Sequence, residues 1–120
     1  MEFTQQSANQ NTVISISEST ITLTQAQLKI PCFISSNRAE EISISSLQEI
    51  TKETLFPLLS QDSLNLLIIG TGKQSKFLSP KQQVALSELG LGVECMNNIS
   101  ACSSFNLLLS DLRLVGLLIL

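Results

Sequence analysis

Residues 64–120, LNLLIIGTGKQSKFLSPKQQVALSELGLGVECMNNISACSSFNLLLSDLRLVGLLIL, read as strand, helix, strand, helix, strand. Leu64 to Ile69, apolar but for Asn65, stops at Gly70, the pattern of a strand covered on both faces. Ser79-Pro80-Lys81-Gln82 is a helix start: Ser79 can cap, Pro80 suits the first helical position, and Gln82 completes a capping box. Val84, Leu86 and Leu89 are expected along that helix, with Gly90 ending it. Gly92 to Met96 is a short strand. Asn98 or Ser100 opens a second helix, in which Ala101, Phe105, Leu108 and Leu112 fall at helical spacing. Leu114 to Leu120 is the last strand. Strands alternating with helices predict a covered sheet, with right-handed crossovers wherever neighbouring strands run parallel.

The first half has a different period. Ile14 and Ile16 alternate with Ser15 and Ser17, Ile21 and Leu23 with Thr22 and Thr24, and Ile42 and Ile44 with Ser43 and Ser45. Period two with one polar face predicts half-buried antiparallel strands. Asn37 to Glu41 is the polar loop between two of them. Thr51 to Ser60 reads as a short helix that starts late enough for Pro57 to fall in its first turn. Residues 1–12, rich in Gln, Asn, Ser and Thr, read as a disordered tail, and residues 13–120 as one domain. The fold class expected is α/β: three layers around a central mixed sheet, with antiparallel N-terminal strands and a β-α-β-α-β C-terminal half.

Composition removes several functions. The 120 residues carry a net charge of −3 and no cluster of Lys or Arg, so nucleic acid and anionic membrane lack an electrostatic footprint. There is no His, which excludes imidazole bases, Ser-His and Cys-His pairs, and His metal ligation. Cys32, Cys95 and Cys102 have no C-x-x-C spacing and read as buried, reduced thiols of a cytoplasmic protein. No metal and no cofactor is expected. Met1 to Thr4 lack the start of a secretory signal, and the apolar runs Leu66 to Ile69 and Leu114 to Leu120 are too short to span a bilayer.

Gly70-Thr71-Gly72-Lys73 after an apolar strand invites a phosphate-loop reading. The spacing argues against it: Leu67 stands where a P-loop needs Gly, and Gln74 where it needs Ser or Thr. The loops Gly70 to Ser79 and Met96 to Ser100 nevertheless both leave strand ends. If the strands are parallel they share a crevice holding Thr71, Lys73, Asn97 and the free N–H groups of the following helix, a setting that favours anions. Glu94, between Val93 and Cys95, reads as a buried carboxylate whose partner is Arg113 or Lys73, or which has a functional role. Cys102 lies in a first helical turn, where the dipole lowers a thiol pKa, although packing is the preferred role without a His base. Asn106 reads as a hydrogen-bonding group that fixes the neighbouring loop. The candidate crevice set is Gly70, Thr71, Gly72, Lys73, Glu94, Met96, Asn97, Cys102, Asn106 and Arg113, with no residue assigned as catalytic.

Several of these segments recur in order in a known family. Gly70-Thr71-Gly72, Phe77-Leu78-Ser79-Pro80, Gly90-Leu91-Gly92-Val93-Glu94-Cys95-Met96, Ala101-Cys102-Ser103-Ser104-Phe105-Asn106 and Asp111-Leu112-Arg113 resemble a family of small, uncharacterised bacterial and archaeal proteins. Its eukaryotic branch includes a mitochondrial respiratory complex I assembly factor and an adipogenesis-associated protein. The resemblance is carried by residues 64–120, and by strand pattern alone before that. Asn97-Asn98-Ile99 replaces the family's Asp-Thr-Gly, Phe105 its Tyr, Ser104 its Thr, and Leu114 a second Arg, which weakens the case for a shared catalytic site. The resemblance implies a three-layer α/β fold and a role in respiratory-complex assembly or membrane-protein biogenesis.

The reading that follows is a non-enzymatic assembly or interaction module, cytoplasmic and peripheral to the inner membrane, with membrane or respiratory-complex subunits as protein partners. The alternative is a small-molecule, anion-binding domain or minor enzyme using the crevice near Gly70 to Lys73 and Glu94. No nucleic-acid partner is expected. An exposed apolar edge at the final strand would favour a homodimer.

Overall fold

The chain's most apolar segments lie side by side in a five-stranded sheet at the centre of the computed structural model, which describes residues 11–120. In chain order the elements are β1 (Val13–Ile16), β2 (Thr20–Leu23), β3 (Gln27–Lys29), β4 (Cys32–Ile34), β5 (Ala39–Glu41), α1 (Lys52–Leu59), β6 (Leu66–Gly70), α2 (Pro80–Ser87), β7 (Gly92–Met96), α3 (Asn98–Ser110) and β8 (Val115–Ile119). The central sheet has the order β5-β4-β8-β6-β7. β6 runs parallel to both β7 and β8, and β4 is antiparallel to β8 and β5. β1, β2 and β3 form a separate antiparallel meander.

Side-chain alternation along the central strands divides the core in two. Ile34, Ile68, Leu117 and Ile119 face α3 and the meander, where Ile21, Ala101 and Phe105 meet them. Phe33, Leu67, Ile69 and Leu118 point the other way, onto α1 and α2 through Leu55 and Leu86. The layers are therefore meander plus α3, mixed sheet, and α1 plus α2, the three-layer α/β arrangement expected.

The start of α2 follows its sequence signature. Ser79 Oγ accepts from the Gln82 N–H at 3.1 Å, and Gln82 Oε1 accepts from the Ser79 N–H at 3.0 Å. The inward face differs from the apolar line expected. Leu86 is buried, but Val84 is 68% exposed, because Gln82 turns inward and donates to the carbonyls of Leu47 (2.7 Å) and Ile50 (3.0 Å). Two backbone acceptors thus set the rotation of the helix more strongly than one valine.

Other expectations are corrected. Ile42 to Ile44 is not a strand; β5 occupies Ala39–Glu41, within the expected loop, the Ile42 N–H still donates to the Pro31 carbonyl at 3.0 Å, and Ile42 and Ile44 pack beside the α1 face. Period two reports one-sided burial, which an extended segment outside the strands also satisfies. Pro57 lies inside α1, whose capping box is Thr51 with Thr54, rather than in its first turn. Glu53, whose carbonyl Pro57 leaves without a helical donor, is exposed, so water can satisfy it. Leu112 lies past α3 in the left-handed region at φ 60, and Arg113 N–H reaches back to the Leu108 carbonyl at 3.0 Å, closing the helix with a Schellman turn. β8 is buried throughout between β4 and β6, so it offers no edge to another chain.

The tail expected over residues 1–12 lies outside the described residues as far as residue 10. Asn11 and Thr12 are buried, and Asn11 Nδ2 donates to the carbonyls of Ser35 (2.6 Å) and Arg38 (3.2 Å).

Candidate functional site

Because β6, β7 and β8 are parallel, their carboxyl ends Gly70, Met96 and Ile119 come to one edge of the sheet. α3 starts almost on top of Gly70. A Cβ there would stand 2.5 Å from Asn98 Oδ1 and 2.6 Å from Ile119 Cδ1, so any larger residue must push these two side-chain ends aside. Gly72, at φ 95, turns the chain so that its N–H donates to Asn98 Oδ1 at 2.9 Å while the Asn98 N–H donates to the Gly72 carbonyl at 2.8 Å. Thr71 N–H donates to the Met96 carbonyl at 2.9 Å. Thr71 Oγ1 donates to the Gln74 carbonyl at 2.7 Å and accepts from the Lys76 N–H at 3.0 Å. The Gly-Thr-Gly segment is thus a latch between β6, β7 and α3. Two donors that a phosphate cradle would use, the N–H groups of Thr71 and Gly72, are thereby engaged within the fold.

The start of α3 is occupied in the same way. Its cap is Asn97, whose Oδ1 accepts from Ser100 N–H at 2.8 Å. Beside it a cleft of about 570 Å³ lies between the β1–β2 turn and α3, lined by Glu18, Gly72, Lys73, Asn97, Ile99 and Leu120. Lys73 Nζ pairs with Glu18 Oε1 at 2.6 Å. The hydrogen bond and charge of Lys73 hold the Glu18 carboxyl below the usual carboxylate range, and Glu18 holds the ammonium above its own. The lysine at the cleft therefore already has an anion, supplied by the chain itself.

Of the residues singled out in the sequence, Gly72, Lys73 and Asn97 line this cleft, and Gly70 and Thr71 do not. Glu94 lies elsewhere and is exposed, contrary to the burial expected of it, because β7 is the outermost strand of the sheet. Among the described residues Lys73 pairs with Glu18, not Glu94, and Arg113 is exposed before the amino end of β8. Met96 is half-buried beside Ser104, whose Oγ is 3.6 Å from its sulfur. Cys102 is fully buried, and burial, reinforced by nearby Cys32, pushes its thiol up to about 12. It is also the fifth residue of α3, past the first turn in which the helix dipole is expected to lower it. Asn106 is buried and binds the backbone of Val13, not a neighbouring loop.

Sequence reasoning missed Asn98, the acceptor of the latch, and Glu18, which reaches Lys73 across a long chain separation. A second hollow of about 450 Å³ runs along β7, where Glu94 and Met96 of the candidate crevice set are joined by Phe77, Leu86, Val93 and Cys95, which the sequence reading did not place there. Phe77 is 71% exposed at its rim. An aromatic in a polar loop was the available signal. Among the described residues no His, Cys, Asp and Glu group could hold a metal ion, and no helix is long and apolar enough to cross a membrane.

Comparisons with known proteins place this geometry. The chain is similar to mouse NADH dehydrogenase (ubiquinone) 1 alpha subcomplex assembly factor 3, with 30% identity over 88 residues, covering 72% of this chain and 47% of the mouse protein. The human protein of the same name is 28% identical over 88 residues, covering the same shares. The chain thus spans about half the length of the curated relatives it matches. Among solved structures, a crystal structure of a Bordetella parapertussis protein superposes with a TM-score of 0.81 at 23% identity, covering 96% of this chain and 98% of the other. A solution structure from Bordetella pertussis, described as an Mth938-like domain, gives a TM-score of 0.75 at 20% identity, covering 100% of this chain and 91% of the other. These two establish the fold. The family model described as "Protein of unknown function (DUF498/DUF598)" matches residues 13–120, from β1 to the end of β8, and this chain belongs to that family.

Proposed function

We propose that this chain is a protein-docking module that serves the assembly of a membrane-bound respiratory complex, working at the cytoplasmic face of the inner membrane. The observation that carries the reading is the closure of the ligand edge of the sheet. Gly72 N–H is bonded to Asn98 and Thr71 N–H to Met96, so backbone groups that parallel α/β folds turn toward small ligands here hold the fold together, while Lys73 pairs with Glu18 at the surface. The names of the mammalian relatives supply the process.

The test is removal of the gene from its native host, followed by native gel electrophoresis of membrane extracts. The expected result is loss of full-size NADH dehydrogenase with accumulation of partial assemblies. Normal amounts of the full complex would overturn the reading. The competing reading, a small anion in the cleft, is favoured by Lys73 at its margin but requires the ligand to displace Glu18 from a 2.6 Å ion pair. A melting temperature that rises with inorganic phosphate would support that alternative.

A further inference from the structure

β7 is the outermost strand of the central sheet, and its hydrogen-bonding register fixes which groups face outward. Gly92 N–H donates to the Asn65 carbonyl at 3.0 Å, and the Met96 carbonyl accepts from Thr71 N–H at 2.9 Å. In a parallel ladder the residues that bond inward alternate, so Gly92, Glu94 and Met96 face β6. The N–H and C=O groups of Val93 and Cys95 therefore point away from the sheet. Beyond them the outward N–H of Asn97 is taken by Ser75 Oγ at 3.2 Å. Val93 and Cys95 have no such cover among the described residues, and they form two donor–acceptor pairs at strand spacing. The opposite edge is managed differently: Glu41 Oε2 accepts from Lys29 N–H at 2.8 Å, tying β5 to β3.

The two faces of this edge are chemically distinct. Val93 and Cys95 side chains turn toward α2, into the hollow bounded by Phe77, Leu86 and Leu91. Alternation along β7 sends the Glu94 side chain to the other face, where it is exposed at the rim of the same hollow. A strand added to the edge would place the residues opposite Val93 and Cys95 over that hollow, whose apolar wall of Phe77, Leu86 and Leu91 is interrupted by Gln83 and Ser87, and the residue between them beside the Glu94 carboxylate. The geometry points to β7 as the docking edge for an extended segment of a partner protein, with a Lys or Arg opposite Glu94 and an apolar residue on each side of it.

A second copy of this chain is a poor occupant. Antiparallel self-pairing that uses both outward pairs, Val93 with Cys95 and Cys95 with Val93, sets its two-fold axis on Glu94. The two carboxylates would then lie directly opposite, an arrangement that destabilises a ladder. Glu94 thus selects for a basic partner strand and against its own kind.

This deepens the docking reading and rests on it, so the experiment separates the two. In solution, the full chain is titrated with acetyl-Thr-Ile-Lys-Ile-Thr-amide while backbone amides are followed by NMR. The expected result is that Val93 and Cys95 amides, unprotected from hydrogen exchange in the free protein, shift and become protected. A peptide with Glu at its centre should bind more weakly, on the order of fivefold, and Glu94→Lys should reverse that order. In cells, Val93→Pro removes an outward N–H while leaving the inward ladder intact, a place where an edge strand tolerates proline. If gene loss impairs the respiratory complex, this variant should fail to restore it while remaining folded. Several results would overturn the edge: equal binding of both peptides, perturbation confined to the Lys73 cleft, or a wild-type dimer that Val93→Pro converts to monomer. Full rescue by Val93→Pro would also overturn it while leaving the assembly role standing. A normal complex after gene loss would remove the assembly role itself.

Discussion

Asn106 grips Val13 from both sides: its Oδ1 accepts the Val13 N–H at 2.8 Å and its Nδ2 donates to the Val13 carbonyl at 2.9 Å. A helix side chain thereby supplies what a neighbouring strand would, and it docks the first strand of the meander onto α3. Asn106→Leu leaves both backbone groups of a buried residue without partners, each at about 1–3 kcal/mol. We expect a loss of about 2–5 kcal/mol in urea unfolding, with the Val13 amide losing its exchange protection. Asn106→Asp keeps the acceptor but not the donor and should fall between.

The buried thiols give a pH signature. Cys102 and Cys32 are both raised from 9.0 to about 12, chiefly by burial, so on alkalinisation the unfolded chain gives up these protons first. The stability they protect is complete below pH about 9 and is lost as the pH climbs toward about 12. Melting temperature should therefore fall between pH about 9 and about 11, and Cys102→Ala should flatten that fall. With a thiol reagent at neutral pH, half-buried Cys95 should react first, and Cys32 and Cys102 only on unfolding.

Gly70→Ala drives a methyl group against Asn98 Oδ1 and Ile119 Cδ1. Overpacking of this kind typically costs about 1–3 kcal/mol. Since Asn98 also holds Gly72, the loop after β6 should loosen with it. A lower denaturation midpoint together with faster exchange of the Gly72 amide is the expected result.

Phe77 is exposed and contributes little to the core, so Phe77→Ser should change stability by less than about 0.5 kcal/mol. If the hollow beside β7 receives a partner, the same substitution should weaken peptide binding at Val93 and Cys95. Calorimetric melting and the NMR titration read the two effects separately.

The C-terminal half was legible because its signals are local. A capping box and a proline at the first helical position act within four residues, and Ser79, Pro80 and Gln82 occupy the places read for them, whereas the helix stops at Ser87, short of Leu89 and of Gly90, which turns the chain at φ 69. What was illegible depends on strand order. Glu94 between Val93 and Cys95 looks buried in sequence, and only the position of β7 at the edge exposes it. The latch between Gly72 and Asn98 and the pairing of Lys73 with Glu18 join residues distant in the chain, which periodicity does not encode. Cys102 was misread for a related reason: helix position is local, but the burial that governs its thiol is tertiary.

The most direct measurement is photo-crosslinking in living cells from a probe amino acid at Ser87, on α2 beside the β7 hollow, with the same probe at Ser43, beyond β5 at the opposite side of the sheet, as control. A docking module that uses the β7 edge predicts an adduct from position 87 containing a respiratory-complex subunit or its assembly partner, joined through an extended segment with a basic residue between apolar ones, and none from position 43. No such subunit from position 87, or equal capture from both positions, would contradict the account.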